Sequence, residues 1–229
     1  MDIEDWKPYL KLDTVGRSCM AQQTYEPLVS PDGKTFCKNY EFPNEYQYRD
    51  EKDRPLYTDE VCDWFFDNEV KYLLKFEDKP YAPEIIDIDF INRRIFIDWY
   101  SKSCNQIMYA ENKSWPQGEW RAQIKEIILD QYNEGIYKLT MYPHCHYIDS
   151  QGQMRAIDWY GCVPVDAPYI EEKYMQGIIH DTAQFRLEET GKAVDSVLNL
   201  ETMFKRSLGT HVLWGDQNMS YIYKELFNA

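Results

Sequence analysis

Within the first 100 positions the spacing of apolar residues switches from strand-like to helical and back, and this order restricts the fold more than any other feature. Tyr9 to Leu12, Gln23 to Val29 and Lys34 to Phe42 have β-like composition. Pro31-Asp32-Gly33 lies between the last two and carries turn chemistry, since proline presets φ and glycine accepts the left-handed region. These segments predict a meander of three strands. A helix then opens at Thr58, a good N-cap, with Asp59 and Glu60 where carboxylates favour the positive end of the helix dipole. Val61, Trp64, Phe65, Tyr72 and Leu73 recur at helical spacing through Phe76. Lys79-Pro80 and Ala82-Pro83 break the chain. Ile85 to Phe90 and Arg94 to Tyr100 predict two strands around an Ile91-Asn92-Arg93 turn. Asp87 and Asp89 alternate with Ile86, Ile88 and Phe90, the pattern of a half-exposed strand.

From residue 101 the character is helical. Glu119 to Glu134 places Trp120, Ile124, Ile127, Ile128 and Tyr132 on one stripe and ends at Gly135, a C-cap residue. Residues 136 to 161 are short and turn-rich, with a hairpin signal at Ser150-Gln151-Gly152. Residues 168 to 190, 194 to 208 and 219 to 227 have helical patterns. Five strands with one helix, followed by a helical half with a small hairpin, predict an α+β protein of two lobes. The expected division is a β-rich lobe over 1–100 and a mainly helical lobe over 101–229.

The chain carries 39 Asp and Glu against 25 Lys and Arg, a formal net charge of −14. That acidity argues against nucleic acid or an anionic membrane as partner, because phosphate surfaces are gripped by an excess of cations. It favours a basic protein partner, if any. Aromatic residues at 16% exclude a disordered chain. No apolar run approaches the roughly 18 residues that span a bilayer, and the acidic start Met1-Asp2-Ile3-Glu4-Asp5-Trp6 lacks the layout of a secretory signal. The expectation is a cytoplasmic protein. Six cysteines without a C-x-x-C pair predict reduced, mostly buried thiols.

The stretch Tyr142-Pro143-His144-Cys145-His146-Tyr147-Ile148-Asp149, followed by Gly152 and by Ala156-Ile157-Asp158-Trp159, resembles the catalytic segment of the protein-kinase-like fold in its aminoglycoside phosphotransferase and choline kinase branch. That segment reads H-G-D-L-H-P-x-N, three hydrophobics, Asp, a glycine turn, then I-D-W or I-D-F. The resemblance extends to Lys38 in Phe36-Cys37-Lys38, at the place of the family's phosphate-binding lysine. Glu69 in the first long helix stands where the family has that lysine's partner, and His180-Asp181-Thr182-Ala183 is similar to a later D-L-A segment. It implies a nucleotide, ATP or another, bound with Mg. Lys38 would act as a point charge on the phosphates and Glu69 would hold it. Asp158, after an apolar strand, would chelate the metal or, more simply, cap the next turn. Asp98-Trp99-Tyr100 would form the connector beside the base, with Trp99 as a binding residue or as hydrophobic filling. Gly16, with Ser18 and Ala21, is what stands for the glycine-rich loop.

The departures bear on activity. Aligning on Pro143 puts Lys138-Leu139-Thr140 on H-G-D, so Thr140 replaces the catalytic aspartate, and Cys145 falls on the metal-binding asparagine. A hydroxyl does not accept a proton near neutral pH as a carboxylate does, and a thiol is a poor magnesium ligand. His144 is a candidate substitute base. His144, Cys145, His146 and Asp158 together are a candidate zinc set, against the plainer reading of a polar loop with one buried histidine. Loss of a general base removes about 10²- to 10⁴-fold of rate, while positioning and charge stabilisation carry most of phosphoryl transfer. The expected function is a nucleotide-binding pseudokinase or slow phosphotransferase. The alternatives are an active enzyme on a small hydroxylated substrate with an atypical base, and a protein-interaction module that kept the fold without nucleotide.

Overall fold

The computed structural model describes residues 1–9, 27–40, 58–99, 104, 119–141, 145–167, 204, 222 and 225–226. The first half is an antiparallel sheet of five strands: β1 (Lys7–Pro8), β2 (Leu28–Val29), β3 (Thr35–Asn39), β4 (Ile85–Asp89) and β5 (Arg94–Asp98), in the order β1-β2-β3-β5-β4. The β2–β3 turn closes as its residues dictate. Gly33 takes φ 70° and donates its N–H to the Ser30 carbonyl, while the Ser30 hydroxyl accepts from the N–H groups of Lys34 and Thr35. Pro8 is tolerated because β1 is an edge strand, where a missing N–H costs no ladder bond.

Between β3 and β4 runs α1 (Asp59–Lys75), capped by the Thr58 hydroxyl, which accepts from the Val61 N–H, and flanked by acidic residues at its start and Lys75 at its end. Val61, Phe65, Phe66, Tyr72 and Leu73 pack its buried face, and Glu69 lies among them.

The turn between β4 and β5 is tied by Asp89, whose Oδ1 accepts from the N–H groups of Ile91 and Asn92. A register shift between Ile85 and Asp87 corrects the simple alternation expected for β4. The bulge changes the phase of the strand, so Ile85 and Ile88 pack on the core while Ile86 is 42% and Phe90 65% exposed.

In the second half, α2 (Glu119–Asn133) buries Trp120, Ile124, Ile127 and Ile128, and the chain leaves it through Gly135 at φ 76°. Two short ladders follow: β6 (Ile136–Lys138) pairs with β9 (Cys162–Pro164), and β7 (His146–Ile148) pairs with β8 (Met154–Ala156). A single 3₁₀ turn, Trp159–Gly161, connects β8 to β9. Trp159 stacks on Phe76 with ring centroids 5.1 Å apart and lies beside Tyr81. One continuous core thus joins the helix of the sheet half to the hairpins. The helices expected over 168–190, 194–208 and 219–227 lie outside the described residues, apart from isolated positions. No described helix is long and apolar enough to cross a membrane.

Candidate functional site

Side chains alternate along a strand, so Phe36 and Lys38 share one face of β3 and Cys37 takes the other. The Lys38 face looks toward α1. There Nζ of Lys38 donates to Oε1 of Glu69 at 2.7 Å and to Oδ1 of Asp158 at 2.9 Å. Lys38 and Glu69 are each 1% exposed and Asp158 5%. Glu69 is thus withdrawn from water, and its second oxygen accepts from the Tyr160 N–H. The rings of Tyr40 and Tyr160 lie 5.7 and 5.6 Å from the ammonium. Burial alone would depress the Lys38 pKa, but the carboxylates of Asp158 and Glu69 outweigh it and hold the group well above its ordinary value. Burial, followed by the negative charge of Glu69, pushes the Tyr40 hydroxyl up.

Among the described residues, Asp158 is one of two non-glycine residues at positive φ, at φ 61°, ψ 56°. Such backbone costs on the order of 1–3 kcal/mol and persists only where neighbours hold it. Its side chain makes no capping bond to the following turn, so it is the ion pair and not a cap that uses the carboxylate. Three neighbours grip the segment. Nδ2 of Asn68 donates to the carbonyls of Tyr160 and Cys162 at 2.6 and 2.8 Å, Glu69 takes the Tyr160 N–H, and the Thr140 hydroxyl donates to the Asp158 carbonyl at 2.6 Å. Thr140 also accepts from Lys138 Nζ at 2.8 Å, and its backbone carbonyl accepts from the same ammonium at 2.7 Å.

Lys38, Glu69 and Asp158 thus meet, although 31 and 120 residues separate the lysine from its partners. Thr140 is buried behind Asp158, with its hydroxyl committed on both sides. Trp99 stacks on Phe36 at 5.0 Å and 16°, with Tyr9 and Tyr147 against it. Its backbone N–H donates to the Lys34 carbonyl, and the ring packs among these aromatics next to the sheet. Cys145 is buried in the hairpin. Among the described residues, which do not include His144, no group of three or more His, Cys, Asp and Glu converges that could hold a metal ion. Gly16, His144 and the His180 segment lie outside the described residues. Asn68 and Lys138 were missed by sequence reasoning. Asn68 has no signal beyond its place next to Glu69, and Lys138 had one in standing within the replaced H-G-D triplet.

The sheet order, the helix between the third and fourth strands, and the lysine meeting that helix define an α+β, kinase-like arrangement. No protein-family model and no curated protein is matched by the sequence. Among solved structures, monomeric WbdD aligns with a TM-score of 0.50 and 11% identity, over 88% of this chain and 48% of that one. A structure described as the bifunctional kinase-methyltransferase WbdD aligns with a TM-score of 0.49 and 12% identity, over 96% of this chain and 50% of that one. The chain spans about half the length of these proteins, and the likeness to the first, at 11% identity, is one of fold alone.

Proposed function

We propose that the chain is a kinase-like protein that binds a nucleotide with Mg and transfers phosphate slowly or not at all. The observation that carries this reading is the buried Lys38–Glu69–Asp158 triad, which links β3 and α1 to the turn after β8; we take it to join a β-rich lobe over 1–100 to a mainly helical lobe over 101–229. An ammonium fixed by a carboxylate is suited to phosphate oxygens. Magnesium keeps several waters and needs only one or two protein carboxylates beside the phosphates, so Asp158 fits as its ligand. Bound there, the metal would neutralise phosphate charge. Thr140 has no carboxylate to take a proton from a small hydroxylated substrate, which supports weak transfer.

Differential thermal unfolding with ATP, with and without magnesium, tests the reading. The expected result is stabilisation by several degrees with both present, with the magnesium-dependent part lost in Asp158→Asn, and little ATP turnover. No shift at millimolar MgATP would sink it. The same result would favour a second reading, an interaction module without nucleotide, for which the packing of Trp99 between Phe36, Tyr9 and Tyr147 speaks.

A further inference from the structure

We infer that Thr140 and Lys138 are positioning residues that clasp the backbone of Asp158, so that the place of the family's catalytic aspartate is given over to holding the neighbouring carboxylate. This rests on the reading of Lys38 and Asp158 as the phosphate and metal groups. The polarity of the relay follows from the donors themselves. An ammonium has donors and no acceptor, so Lys138 Nζ must occupy a lone pair of the Thr140 hydroxyl. The hydroxyl's single hydrogen is then left for another acceptor, and it goes to the Asp158 carbonyl. Lys138 is fully buried, its two hydrogen bonds both go to Thr140, and its ammonium lies 5.9 Å from the Trp159 ring. The lysine thus fixes Thr140, and Thr140 fixes the left-handed turn that sends the Asp158 carboxylate onto Lys38. A carboxylate at position 140 would satisfy Lys138 but bring no hydrogen to the Asp158 carbonyl, and would set a negative charge against it.

The test compares Thr140→Val, Thr140→Ser and Thr140→Asp with the parent by amide hydrogen exchange without ligand and by MgATP titration. In Thr140→Val, exchange at Tyr160 and Gly161 accelerates about tenfold, and MgATP binds about tenfold more weakly, the effect of one lost buried bond. Exchange in β3 is unchanged, and Thr140→Ser restores both values. If Thr140→Val does not fold, the double variant Lys138→Met with Thr140→Val removes the stranded ammonium together with the hydroxyl and gives the same comparison. Unaltered exchange at Tyr160 and Gly161 in either variant, no rescue by serine, or a gain of ATP turnover in Thr140→Asp would overturn the inference. If the parent shows no response to MgATP, the nucleotide reading fails while the exchange measurements still decide whether the clasp exists.

Discussion

Gly161 shows how closely single atoms define the site. A Cβ built on it would lie 2.5 Å from Cγ2 of Thr140. Thr140 cannot rotate away, because its hydroxyl is held by Lys138 on one side and the Asp158 carbonyl on the other. Gly161→Ala is therefore expected to destabilise the protein by about 1–3 kcal/mol through overpacking. Thr140→Ser deletes the offending methyl and keeps the hydroxyl, leaving Oγ1 at 3.2 Å and Cβ at 3.4 Å from the new carbon. The double variant should recover much of the loss, giving a coupling of about 1–2 kcal/mol in denaturant unfolding. Strict additivity would show that the two residues do not share this contact. Such dependence also explains what the sequence could disclose about the site. Lys38, Glu69 and Asp158 were nameable because residue type, element and order point to each. The bonds from Asn68 and Thr140 end on backbone carbonyls, and those carbonyls are presented only because Asp158 adopts a left-handed turn. Residue type alone does not signal that turn: aspartate is several-fold enriched there, yet positive φ occurs in only a few per cent of non-glycine residues.

Elements with local signals were legible, and elements defined by partners were not. α1 was readable from its cap and stripe, and the β4–β5 and β7–β8 hairpins from their turns. The bulge in β4 was hidden, because an extra residue arises from pairing with β5 and leaves no compositional mark. In the β7–β8 hairpin the turn aspartate does more than the sequence suggests. Asp149 Oδ1 accepts from the N–H groups of Gln151 and Gln153, and Oδ2 accepts from Arg155, whose other arm reaches the Ala82 carbonyl. Partial burial would raise its pKa, yet the Gln153 and Gln151 amides and the Arg155 guanidinium together hold it below the ordinary 3.8. A carboxylate with a depressed folded pKa contributes stability that is complete above the unfolded value and is lost as pH falls through the folded one. The contribution of Asp149 should thus fade from about pH 4 downward. Asp149→Asn is expected to lower the Tm by about 2–6 °C at pH 7 and to flatten its fall between pH 5 and 2.5. Asp89 and Asp130, also depressed, keep some of the slope. An unchanged acid slope in Asp149→Asn would contradict this role.

Across the whole molecule, the formal charge of −14 and the buried lysine would act on the proposed nucleotide over different distances. Lys38 is attractive at contact, but it is enclosed and already faces two carboxylates, so little of its field reaches solvent. The acidic surface, by contrast, acts at long range until salt screens it beyond about 10 Å at 0.1 M. MgATP is an anion, so its approach should be opposed by the same field that would speed a cation. Association measured by stopped-flow mixing is then expected to quicken several-fold between 0.02 and 0.3 M salt, while dissociation changes less. That sign is the reverse of the steering found where a basic cleft gathers phosphate ligands. Association that slows as salt is added would mean that cations gathered at the mouth of the site outweigh the acidic surface, and a protein of this net charge would then present its nucleotide with a locally positive face.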